Sequence, residues 1–69
     1  MIITVNGAER EVAEEITVAE VVTLIRPDAD QHRGVAVAVD RAVVPRTQWP
    51  TTTIAAGARV EFVTAVQGG

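Results

Sequence analysis

A chain of 69 residues that contains no cysteine can be held together only by its own packing. No cross-link is available to it, and at this size an apolar core supplies a thin margin over conformational entropy. With 48% hydrophobic and 22% charged residues, the composition is that of a chain that folds by itself and not of a disordered segment. One regular domain with short connections is the economical outcome. Without cysteine there is also no thiolate site, and the lone histidine, His32, rules out a His-only cluster, so no metal site is expected.

The apolar pattern changes period along the chain. Ile2 to Val5 are β-branched throughout and are followed at once by Asn6-Gly7, a pair that favours the positive φ angles of a type I′ hairpin turn. Glu9 to Ala13, charged at Glu9, Arg10 and Glu11 and apolar at Val12 and Ala13, is expected to be the second arm, with one wet face. Thr17-Val18-Ala19-Glu20 has the spacing of a capping box, so a helix is expected to begin at Val18. Val18, Val21, Val22 and Ile25 then recur on one helical face, Leu24 widens that stripe, and Pro27 ends the run by disfavouring helical geometry at Arg26. The polar stretch from Pro27 to Gly34, His32 included, is expected to be a solvated surface loop.

Val35 to Val39 puts valine on one face and alanine on the other, which suits a central strand. Asp40-Arg41 turns it into Ala42-Val43-Val44, and Pro45 withholds a donor and marks that arm as an edge. Trp49 lies in an irregular stretch and is expected to plug the space beneath a loop. After a turn at Ala55 to Ala58, Arg59 to Ala65 forms the last strand. Val60 and Phe62 face the helix on one side of it, while Glu61, Val63 and Ala65 share the other. Hairpin, helix, strand pair and last strand, joined by short crossovers, place the first and last strands side by side and parallel in the middle of a mixed sheet. The expected class is α+β: a β-grasp sheet of four to five strands packed on one helix, with residues 1–65 as the domain and 66–69 as a flexible tail.

Several function classes are excluded by charge and motif. A net charge of −3 with six dispersed arginines offers no stripe that could track a phosphate backbone, so nucleic acid is not an expected partner. No apolar run approaches the roughly 18–20 residues that span a bilayer, and the N-terminal segment lacks the features of a leader, so a cytoplasmic location is expected and no membrane partner. There is no Ser-His-Asp set, no glycine-rich phosphate cradle and no obvious carboxylate pair, so no catalytic residue is assigned. All six basic residues are arginine, which leaves no side-chain amine to accept an isopeptide bond.

What remains is the end of the chain. The last strand runs into Val66-Gln67-Gly68-Gly69, and two glycines contribute nothing to packing there. Their merit is slimness. A carboxylate is a poor electrophile, and activation as an acyl-adenylate would require this tail to enter a narrow enzyme channel, where a Cβ on either final residue would collide. A persulfide attacking such an adenylate would leave a C-terminal thiocarboxylate, so a carrier needs no cysteine of its own.

The stretch Val35 to Gly69, with Val44-Pro45-Arg46 and Trp49 in the spacing Val-Pro-Arg-x-x-Trp, a glycine turn and the final Gly68-Gly69, resembles the ThiS family of thiamin-biosynthesis sulfur carriers, which are ubiquitin-like. Ile3 to Gly7 and the helix opening at Thr17-Val18 agree with that family in layout. Ala58 departs from it, since an acidic residue commonly follows the turn glycine, and this bears on turn stability. The resemblance implies that the chain is a protein cosubstrate and not an enzyme. An E1-like (ThiF-like) adenylyltransferase using ATP and Mg2+ would adenylate Gly69, and a cysteine desulfurase or other persulfide donor would supply sulfur. A thiazole synthase (ThiG-like) would take the sulfur from the Gly69 thiocarboxylate. No cofactor is bound by the carrier itself. Val66, Gln67, Gly68 and Gly69 would thread the partners' active sites, and Phe62, Val63 and Ala65 would form a docking patch. Two other readings stand beside this one: a molybdopterin-synthase small subunit or another ubiquitin-like sulfur carrier, and a β-grasp interaction module with an incidental Gly-Gly end.

Overall fold

The computed structural model describes residues 1–27 and 34–64. Strands β1 (Ile2–Val5) and β2 (Ala8–Glu11) form the first hairpin, helix α1 spans Val18–Ile25, β3 (Val35–Val39) and β4 (Ala42–Val44) form a second hairpin, a 3-10 helix covers Arg46–Thr51, and β5 is Arg59–Thr64. The five strands make one sheet in the order β2-β1-β5-β3-β4. The β1 and β5 strands run parallel, and every other neighbouring pair is antiparallel. This is the ubiquitin-like β-grasp arrangement, with the first and last strands adjacent as the short crossovers require. The centre is β5; β3 lies beside it, one place in from the edge strand β4.

Local chemistry explains the elements. Asn6 and Gly7 have φ of 50° and 85°, the two positive angles of a type I′ turn, and they leave Val5 facing Ala8 across the hairpin. The second arm ends before the expected Ala13. It stops at Glu11 and all four of its residues are exposed, because β2 is an outer strand whose Glu9, Arg10 and Glu11 guard an edge that would otherwise recruit another chain. Val12 is buried beyond the strand, where Met1 and Val12 exchange backbone hydrogen bonds of 2.8 Å in both directions.

Thr17 caps α1 as its sequence predicts: its hydroxyl accepts from the Glu20 N–H at 3.2 Å, and the Glu20 carboxylate accepts from the Thr17 N–H at 2.9 Å. Val18, Val21 and Val22 are buried, but Leu24 is 53% exposed. At roughly 100° per residue, Leu24 lies about a third of a turn from the middle of the valine stripe, beyond the reach of the sheet. The core gathers Ile3, Val5, Val37 and Val60 from the sheet with these helix valines, Trp49 and Ile54.

The stretch around Trp49 is ordered as a 3-10 helix, where the sequence pattern suggests irregular chain. The indole is buried, and its Nε1–H donates to the Val44 carbonyl at 2.9 Å. The Gln48 N–H donates to the Pro45 carbonyl at 2.8 Å, and the Arg46 guanidinium lies 5.9 Å from the ring centroid, within cation–π range. The Val-Pro-Arg-x-x-Trp spacing is therefore a packing device, with its valine, proline, arginine and tryptophan each placed by a contact with another part of the same turn. Residues 52–54 then run alongside the helix start, with the Val18 N–H donating to Thr52 and the Ile54 N–H to Ile16, both at 2.9 Å. A hydrogen bond of 3.1 Å from the Ala58 N–H to the Ala55 carbonyl closes the glycine turn, with Gly57 at φ 81°, so Ala58 holds it through the backbone alone.

Candidate functional site

The last strand carries the candidate site. On the β1 side, the Thr4 N–H donates to Ala58 at 3.0 Å and the Asn6 N–H to Val60 at 2.9 Å. The β1 strand ends there, yet the sheet continues one step further: the Asn6 side-chain oxygen accepts from the Phe62 N–H at 2.8 Å, where a longer strand would present a backbone carbonyl. On the other side β5 is paired with β3 from Val60, opposite Val39, to Thr64, opposite Val35. Its start is also tied to the β3–β4 turn, where Asp40 donates its N–H to the Arg59 carbonyl at 2.7 Å and accepts the Arg59 N–H on its carboxylate at 2.9 Å. A strand held this firmly is a rigid base for whatever follows Thr64.

Ala65, Val66, Gln67, Gly68 and Gly69 lie outside the described residues, as does His32. Of the two described residues assigned to docking, Val63 is 60% exposed and Phe62 is half-buried against the core. They point to opposite faces because neighbours on a strand alternate. The open face, away from α1, is where Val63 sits. Its cross-strand neighbour on β3 is Ala36, Ala38 lies two residues along, and Ala38 pairs in turn with Val43 on β4, which is 71% exposed. Val43, Ala38, Ala36 and Val63 form a diagonal strip of small apolar side chains, and the exposed Glu61 lies opposite Ala38. Sequence reasoning left Val43 out of this surface. The two-residue turn at Asp40-Arg41 sets Val39 opposite Ala42, and that register alone puts Val43 on the alanine face of β3. Among the described residues no three His, Asp or Glu side chains gather as metal ligands, and no helix is long and apolar enough to cross a membrane.

The model of the ThiS family matches residues 3–69. The chain belongs to the ThiS family. A solved ThiS-family structure agrees with this assignment: the crystal structure of the thiamine biosynthesis protein ThiS from Geobacter metallireducens is 32% identical, covers all of both chains and superposes with a TM-score of 0.83. The solution structure of a thiamine biosynthesis protein from the same organism is also 32% identical, covering all of this chain and 88% of that one, at a TM-score of 0.77. No curated protein matches. The ThiS-family match extends to Gly69, so the Gly68-Gly69 end falls inside the family's own sequence pattern.

Proposed function

We propose that this ThiS-family chain is a sulfur carrier of thiamin biosynthesis, that Gly69 bears the sulfur, and that the carrier is a cosubstrate of enzymes and not itself a catalyst. The observation that carries the reading is the family match through Gly69, joined to a central strand, β5, that is hydrogen-bonded on both sides at its start and leads toward that end. In the first step the Gly69 carboxylate oxygen attacks the α-phosphorus of ATP on an adenylyltransferase that holds Mg2+, and pyrophosphate leaves. A persulfide then attacks the acyl carbon, forming a C–S bond as the C–O bond to AMP breaks. A second thiol of the sulfur donor cleaves the S–S bond, leaving the Gly69 thiocarboxylate and a donor disulfide. A thiazole synthase consumes the thiocarboxylate sulfur. All of this is assigned to the cytoplasm, where ATP and reduced thiols are available.

Val66 to Gly69 are assigned to the partners' active-site channels, and the Val63 strip and Ala65 to the docking contact. The decisive experiment incubates the protein with its cognate adenylyltransferase, ATP, Mg2+ and a persulfide donor and weighs it intact. Exchange of one carboxylate oxygen for sulfur is the expected mass change, and Gly68→Val is expected to block it while leaving the circular dichroism spectrum unchanged. An unchanged mass under conditions that convert another ThiS-family carrier would refute the reading. A plain interaction module would keep its partners when Gly68 and Gly69 are deleted, whereas a carrier loses all conversion.

A further inference from the structure

At the start of β5, Arg41 and Arg59 line one cleft of about 260 Å³ together with Asp40 and Gly57. The cleft is built on fixed backbone. Asp40 is tied to Arg59 by the two hydrogen bonds of 2.7 and 2.9 Å described above, and the Gly57 N–H donates to the Ile2 carbonyl at 2.8 Å. Asp40 and Arg41 have φ of 50° and 72°, so this hairpin turn has the same left-handed backbone as Asn6-Gly7, with arginine standing where glycine would be relaxed. The chain thus keeps a guanidinium at a position that penalises any side chain. Neither arginine has an ion-pair partner among the described residues, although the chain has nine acidic residues and Glu61 lies on the same face of β5.

We propose that Arg41 and Arg59 are the distal anchor of the docking face and engage Asp or Glu side chains on the enzyme that activates Gly69. The inference rests on the carrier reading. Arginine presents its donors as a planar fork that matches a carboxylate. A protein surface suits the cleft better than a free phosphate does, because a partner can cover the exposed Val43 and Val63 of the same sheet face at the same time and a phosphate cannot. The cleft is also continuous with the apolar strip: Val43 lies two residues beyond Arg41 on β4, and Arg59 shares its face of β5 with Val63. Arg59 and Thr64 are about 17 Å apart at the ~3.3 Å rise of a strand. An ionic contact at one end and an apolar contact at the other fix the rotation of β5 on the partner, which aims whatever follows it.

The test titrates wild type, Arg41→Gly and the double variant Arg41→Glu/Arg59→Glu against the cognate adenylyltransferase at low and high salt, measuring Kd, KM for the carrier and Tm. Charge reversal is expected to raise Kd and KM about tenfold or more at low salt, with the gap narrowing as salt screens it. Arg41→Gly is expected to weaken binding several-fold while its Tm holds or rises, since glycine relieves the left-handed backbone. Unchanged Kd and KM in both variants would overturn the proposal, as would a loss of affinity that merely tracks a loss of Tm. Inorganic phosphate raising the Tm of wild type but not of the double variant, with KM unaltered, would reassign the cleft to small anions. Charge-dependent binding without any conversion of Gly69 would instead refute the carrier reading and leave the anchor standing.

Discussion

Asn6 serves the fold in two ways that substitution can separate. Its backbone is left-handed, at φ 50°, and its side-chain oxygen accepts from the Phe62 N–H at 2.8 Å, carrying the β1–β5 pairing one step past the end of β1. Asn6→Gly keeps the turn and removes the hydrogen bond. Because the residue is exposed, that bond is worth about 0.5–1 kcal/mol net, and the added freedom of glycine in the unfolded chain brings the cost to about 1 kcal/mol. Asn6→Ala loses the same bond and forces a Cβ into left-handed backbone at a further ~1 kcal/mol, for a total of about 2 kcal/mol. Asn6→Asp keeps the acceptor and should cost about 0.5 kcal/mol or less. For a domain of this size, each kcal/mol is about 4–8 °C in Tm. Calorimetry and urea titration should therefore rank the proteins wild type, Asp, Gly, Ala. Hydrogen exchange at the Phe62 amide should be accelerated in the Gly and Ala variants and near wild type in the Asp variant. If Asn6→Gly matched wild type in both stability and Phe62 protection, the side-chain bond would contribute nothing and the account of how β5 is held would be wrong. Equal destabilisation by Gly and Ala would remove the backbone strain from the reasoning.

Three further outcomes follow from single contacts. Thr17→Ala removes the acceptor for the Glu20 N–H and should lower stability by about 1 kcal/mol, read as a Tm loss of about 4–8 °C, with Thr17→Ser recovering most of it. Trp49→Phe keeps an aromatic plug but leaves the Val44 carbonyl without the indole donor; about 1–3 kcal/mol should be lost in urea titration, whereas Trp49→Ala, at ~3–5 kcal/mol, should leave the domain largely unfolded. Val43→Asp, at a side chain 71% exposed on the open sheet face, should change stability by less than about 1 kcal/mol but weaken binding to the adenylyltransferase at least tenfold, measured by titration.

Nearly all of the fold was legible in the sequence because its signals are local. Asn6-Gly7 fixes a turn by backbone preference, Thr17 and Glu20 fix a helix start by reciprocal hydrogen bonds, and the valine–alanine alternation of residues 35–39 fixes the faces of β3. What local pattern could not supply depends on neighbours distant in sequence. The full exposure of β2 follows from its place at the sheet edge, and that of Leu24 from how far the sheet extends under α1. Trp49 was legible as a plug, but the 3-10 turn that positions it depends on the Val44 carbonyl reaching the indole. For the site, Val63 was readable from alternation within one strand, while Val43 required the register of two. The Arg41–Arg59 cleft joins residues 18 positions apart in a chain of 69, and no periodicity signals it.

The Val-Pro-Arg-x-x-Trp stretch, for all its value in recognising the family, makes no chemistry. Its contacts lock the end of β4 to Trp49, the Gln48 carbonyl accepts from the Thr52 hydroxyl, and Trp49 shares the core with Ile54, on the chain's way to the Ala55 to Ala58 turn from which β5 departs. The parallel pairing of β1 with β5 can form only once that return path is complete, since parallel neighbours need a crossover and this one includes α1, β3, β4 and the 3-10 helix. So a tryptophan ten residues before the start of β5 governs the last strand by completing its route. Damage there should therefore reach the docking face and the Phe62 hydrogen bond together, through unfolding, whereas damage at Val43 or Arg41 should leave the route intact and be felt only when a partner is present.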